Sequence, residues 1–185
     1  MKRTALFLCL LALVLQGVKA QKVGLKTNLL YDATATVNLG LEARMAPKWT
    51  FDLSGNYNGW SFKDNKKWKH WMAQPEARYW FCEAFNGHFV ALHALGGQFN
   101  VGNVDLVSAL KDHRYEGYYY GAGLGYGYQW VLGRRLNLEA EVGGGWIRSH
   151  YDKYACTQCG DFMGHHRKDY FGLTKVALSL VVMLK

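Results

Sequence analysis

From Tyr118 to Leu132 the chain sorts its residues by parity. Even positions carry Tyr118, Tyr120, Ala122, Leu124, Tyr126, Tyr128 and Trp130, whereas odd positions carry Tyr119, Gly121, Gly123, Gly125, Gly127 and Gln129. A period of two predicts a β-strand. Alternate glycines speak against a helix, in whose interior each would cost about 1 kcal/mol relative to alanine. One face is apolar with aromatics at both ends, and the other is nearly bare backbone. With a rise of about 3.3 Å per residue and a tilt of about 40°, Tyr118 to Tyr128 spans about 25 Å, the height of an outer-membrane apolar band.

Seven further segments alternate in the same way. They are Val23–Asp32, Val37–Ala46, Trp49–Tyr57, Trp71–Phe81, His88–Gln98, Leu136–Trp146 and Tyr170–Leu184. Contrast is poorest in His88–Gln98, where Val90, Leu92 and Ala94 oppose Phe89, Ala91, His93 and Leu95. Pro75 interrupts the fourth strand, and a closed barrel has no edge strand to excuse it, so a bulge is expected there. Short turns fall near residues 47, 84 and 133, and links that are mostly longer fall near 34, 64, 107 and 160, including loops over Phe99–Glu116 and Ile147–Asp169. The fold class expected is all-β: an eight-stranded antiparallel up-and-down transmembrane β-barrel, with short periplasmic turns, long extracellular loops and both mature termini periplasmic.

A soluble barrel would show the same alternation turned inside out, and volume decides between them. Eight strands enclose an interior just wide enough for side chains to fill. Tyr118, Tyr120, Tyr126, Tyr128, Trp130, Trp49, Phe51, Trp71, Tyr79, Phe81 and Trp146 cannot share it. Facing outward, these residues fall near strand ends, as interfacial girdles do.

The N-terminus and composition agree. Lys2 and Arg3 precede an apolar run from Ala5 to Val14, and Val18–Ala20 offers a small-x-small cleavage site, so residues 1–20 read as a secretory signal peptide and 21–185 as one barrel domain. Without Lys2, Arg3 and Lys19 the mature chain keeps 19 basic and 14 acidic side chains. Aromatics at 15%, 21 glycines and 2 prolines suit a membrane barrel better than a soluble α/β domain.

Three stretches carry a family resemblance: KTNLLYDAT at Lys26–Thr34, RYEGYYYGAGLGYGYQWVL at Arg114–Leu132, and NLEAEVG with YDKYACTQCG between Asn137 and Gly160. Together they resemble an uncharacterised family of Gram-negative outer-membrane β-barrels, known as domain of unknown function thirty-five seventy-five. The resemblance implies fold and location over essentially the whole mature chain, and brings no activity, cofactor or ligand with it.

Candidate chemistry is sparse. In the last loop Cys156, Cys159, His165 and His166 are spaced as C-x2-C-x5-H-H, a poor zinc pattern because paired histidine ligands normally sit three to five residues apart. For an exported loop the expectation is a Cys156–Cys159 disulfide, with metal as the alternative and Cys82 unpaired. Lumen-facing Lys26, Glu42, Arg44, Asp52, Glu76, Arg78, His93, Glu139, Glu141 and Lys175 read as an ion-pair network that fills a narrow barrel rather than as acid–base machinery. Ser149 and His150 are adjacent and so on opposite strand faces, which leaves no Ser–His pair, and no catalytic residue is assigned. Lys63, Lys66, Lys67 and Lys69, among Trp60, Trp68 and Trp71, sit where lipopolysaccharide phosphates lie, with a merely solvated loop as the equal alternative. These features make the expected partners membrane lipid and lipopolysaccharide, the barrel assembly machinery and a surface protein or glycan, and not nucleic acid. The expected role is structural, adhesive or in surface assembly, exercised through extracellular loops over a non-conducting lumen. Its rival is a barrel enzyme acting on lipid or lipopolysaccharide.

Overall fold

The computed structural model describes residues 22–60, 67–102, 114–155 and 162–184. Its strands are β1 (Val23–Asn28), β2 (Val37–Ala46), β3 (Trp49–Asn58), β4 (Lys67–Trp80), β5 (Gly87–Gly102), β6 (Arg114–Val131), β7 (Leu136–Tyr154) and β8 (Phe162–Met183), with one short helix, α1 (Leu29–Ala33), after β1. Each strand pairs antiparallel with its neighbour in sequence, and β8 returns to β1 to close an eight-stranded barrel.

Parity along β6 sets inside and outside as the alternation predicts. Gly123, Gly125, Gly127 and Gln129 are buried, while Tyr118, Tyr120, Leu124, Tyr126 and Trp130 are exposed, Leu124 by 68%. In β5, where contrast is weakest, Phe89, Ala91, His93 and Leu95 point inward and Val90, Leu92 and Ala94 outward. The exterior carries an aromatic row near each end. One contains Trp49, Tyr79 and Tyr126, in register across β3 to β6, and the other Tyr57, Trp71 and Tyr118. Leu53, Leu92, Leu124 and Val142 lie exposed between them. An apolar exterior this extensive is the reverse of a water-soluble surface.

The interior is layered. At the short-turn end Trp80, Phe85, Phe89, Ala84 and Ala91 form an apolar cluster against Met183, with ring centroids 4.7 Å apart for Trp80–Phe89 and 6.0 Å for Trp80–Phe85. Phe85 enters from the β4–β5 turn at φ 70°, a left-handed conformation costly for an aromatic residue, and is 4% exposed. Burial of its ring inside the barrel mouth offsets that cost. Above this floor the buried side chains are mostly charged or polar, with Leu95 and Ala177 the apolar exceptions among the described residues.

Four expectations are corrected. The first strand stops at Asn28 rather than Asp32, because the Asn28 side chain accepts from Leu30 N (3.1 Å) and caps α1. Pro75 makes no bulge: it pairs with Leu53 in register, and Ala73↔Gly96 and Glu76↔His93 keep one register across β4 and β5, so the missing N–H only lapses the ladder on the β5 side. The described residues of the loops expected over Phe99–Glu116 and Ile147–Asp169 are almost all strand, since β5, β6, β7 and β8 continue to Gly102, Arg114, Tyr154 and Phe162. Beyond the aromatic row of Tyr57, Trp71 and Tyr118 both faces of these strands carry polar residues, so the two-residue contrast disappears although the ladder does not. Finally, β8 holds an unexpected bulge. Gly143 pairs with Lys175 and Gly144 with Leu173, which leaves Thr174 extra. Outward residues therefore switch from odd (Phe171, Leu173) to even (Val176) at that point.

Candidate functional site: a buried ion network in the lumen

Arg78 of β4 is the hub, 1% exposed. Its Nη1 donates to Glu42 Oε2 (2.9 Å) and Glu139 Oε2 (2.8 Å), its Nη2 to Glu141 Oε2 (2.7 Å), and its Nε to Glu76. Because inward positions recur every second residue, Glu76 and Arg78 on β4 and Glu139 and Glu141 on β7 stand in adjacent rungs, and their side chains meet across the lumen. Lys26 Nζ of β1 lies 2.9 Å from both Glu42 Oε2 and Glu139 Oε1, and 3.7 Å from Asp52 Oδ2. Lys175 Nζ of β8 reaches Glu76 Oε2 (2.6 Å) and Glu141 Oε2 (3.0 Å).

The network is bolted to the apolar floor. Trp80 Nε1 donates to Thr50 Oγ1 (2.9 Å), the Thr50 hydroxyl donates to Glu42 Oε1, and the Arg78 guanidinium lies 4.5 Å from the Phe89 ring centroid. On its other side is a small polar cavity of about 40 Å³ lined by Asp52, Asn56, Gln74, Tyr31 and Lys175 among others. That holds a water or two and no organic substrate. Charge-assisted bonds to a buried guanidinium make a rigid, desolvated cross-brace, suited to holding strands together and blocking passage.

Most of the lumen residues expected from sequence meet here: Lys26, Glu42, Asp52, Glu76, Arg78, Glu139, Glu141 and Lys175. Arg44 does not. It lies nearer the short-turn end, in register with Thr50, where the lumen is apolar and β2 bulges, and its half-buried guanidinium donates through Nε to Ala46 O (3.3 Å). His93 is buried beside the network, with Nε2 2.8 Å from Thr174 Oγ1. Thr174 and Phe85 went unseen in sequence. The parity switch from Phe171 and Leu173 to Val176 was a readable signal for the first; a left-handed phenylalanine in a six-residue turn gave none.

Other candidates are dispersed. Cys156, Cys159, Lys63 and Lys66 lie outside the described residues, as does the side chain of Lys67, which opens β4 rather than sitting in a loop. Lys69 is exposed on β4 two residues beyond Trp71 of the aromatic row. His165 bonds to Asp152 and His166 stacks on Tyr151 at 5.6 Å, on opposite faces of β8, so the two imidazoles do not converge on one ion. Cys82 is a free, exposed thiol in the β4–β5 turn. Ser149 Oγ donates to Lys168 O (3.2 Å), while His150 stacks on Tyr118 at 5.0 Å. On the Tyr120 rung of β7 and β8, Arg148 Nε donates to Asp169 Oδ1 (2.7 Å).

A closed antiparallel barrel, apolar outside and filled by ion pairs inside, defines the class of protein. The chain belongs to the family described as Protein of unknown function (DUF3575), which it matches over residues 5–184. No curated protein and no solved structure matches it.

Proposed function

We propose that this protein is an integral outer-membrane β-barrel of a Gram-negative envelope, exported by the signal peptide at residues 1–20, with periplasmic termini and a non-conducting lumen. Its role is structural, adhesive or in surface assembly, and it acts through the outer ends of β3–β8 and their connections. The observation that carries this reading is the pairing of an exposed apolar exterior with a lumen sealed by Arg78 and its carboxylates. Insertion in lipid makes use of the first, and the second leaves no aqueous path. Lipid and lipopolysaccharide surround the barrel, and exposed Lys69 offers a cation to headgroup phosphates. The barrel assembly machinery inserts it, and a surface protein or glycan is the partner of its outer ends.

Cell fractionation tests the reading. The mature chain should sediment with outer membranes, resist carbonate extraction and need detergent for release. Recovery as soluble periplasmic protein would refute it. A rival enzyme acting on lipid would show itself if the purified barrel released fatty acid from lipopolysaccharide.

A further inference from the structure

The ion network carries more negative than positive charge. Among the described residues five buried carboxylates, Glu42, Asp52, Glu76, Glu139 and Glu141, face three cations, Lys26, Arg78 and Lys175. Two of the resulting unpaired acceptors lie at one place. Glu141 Oε1 has no hydrogen-bond partner, and neither has Nδ1 of His93, whose side chain is 0% exposed and sits with Nδ1 3.9 Å from Glu76 Oε2. One ligand atom each from Glu76, His93 and Glu141 fall within 4.8 Å of one another.

The surroundings are shaped for this cluster. An added Cβ at Gly143 would lie 2.9 Å from His93 Cε1, one at Gly123 would lie 2.7 Å from His93 Nε2, and one at Gly125 would lie 2.7 Å from Glu141 Oε1. The bare faces of β6 and β7 are thus the floor on which the imidazole and carboxylate rest. The β8 bulge turns Thr174 toward the ring, and the bond of its Oγ1 to Nε2 fixes the imidazole. In the tautomer that donates from Nε2, Nδ1 presents a lone pair to Glu76 and Glu141, the arrangement by which an outer partner orients a ligating histidine. Lys175 already places an ammonium between Glu76 Oε2 and Glu141 Oε2, so the spot accepts a cation. Its side chain, 10% exposed against 6% for Lys26 and 1% for Arg78, borders the polar cavity into which it can withdraw.

We propose that His93, Glu76 and Glu141 bind one divalent cation inside the barrel, joining β4, β5 and β7. One imidazole nitrogen with two carboxylate oxygens suits zinc or a similar borderline ion, whereas calcium and magnesium prefer all-oxygen shells. A single divalent ion also balances the two excess carboxylates.

The experiment uses the full mature chain folded in detergent, stripped of metal, exposed to Zn²⁺ alone and dialysed. Wild type and Cys156→Ser/Cys159→Ser should each retain about one zinc per chain, and folded His93→Gln less than a tenth of that. Thr174→Val keeps the ligands but frees the ring, and should weaken zinc affinity about 10-fold or more. Loss of zinc in the double serine variant, full retention in His93→Gln or unchanged affinity in Thr174→Val would each overturn the assignment.

Discussion

Arg78 Nη1 lies 2.8 Å from Glu139 Oε2 and joins β4 to β7 across the lumen, with β5 and β6 between them on the shorter side of the barrel wall. Removing this guanidinium leaves Glu42, Glu76, Glu139 and Glu141 buried without their shared partner. Arg78→Ala is expected to lose about 3–5 kcal/mol of stability, measured by urea unfolding in lipid vesicles. In planar bilayers the wild type should be silent and the variant should leak. Stable ohmic steps from the wild type would refute a sealed lumen.

Gly125 is a second test of a full interior. A side chain there meets Glu141 Oε1 and, at 3.4 Å, Ala91 Cβ, so Gly125→Leu should cost about 1–3 kcal/mol or abolish folding. Gly133 has nothing within 4 Å of an added Cβ, and Gly133→Ala should be near neutral in the same unfolding assay.

Thr174 is the extra residue of the β8 bulge, so deleting it leaves Leu173 outward, Lys175 inward and Val176 outward in unbroken alternation, with Gly143↔Lys175 and Gly144↔Leu173 as consecutive rungs. The deletion variant and Thr174→Ser should therefore both give the compact, heat-modifiable form on gels, and failure of the deletion variant to give it would refute this register.

Cys82 is exposed, and export favours pairing of Cys156 with Cys159. Mass spectrometry of the alkylated, unreduced mature chain should find one modified thiol, at Cys82, rising to three after reduction. Three without reduction would exclude the disulfide.

What sequence could show depended on whether the two faces of a strand differ. Through the apolar band they differ sharply, so Tyr118–Trp130 on β6 and Lys26, Glu76, Arg78, Glu139 and Glu141 inside were legible. Where both faces are polar, as from Ile147 to Asp169, strand and loop read alike. The converse holds in β5, where Phe89 and Val90 are both apolar: one closes the lumen floor and the other faces outward. Partnership was harder to read than parity. Glu42 and Arg78 meet although 36 residues apart, while Arg44, two residues from Glu42, has no carboxylate within 4 Å among the described residues because the lumen changes character between adjacent rungs.

The aromatic floor of Trp80, Phe85 and Phe89 gives the barrel a polarity that its closed symmetry conceals. In the proposed orientation the ion network is shut off from the periplasm by packed rings, while the small polar cavity lined by Lys175, Asn56 and Tyr31 lies on its other side. On that placement the buried charges communicate with the outside of the cell alone, and the periplasmic end is an inert plug.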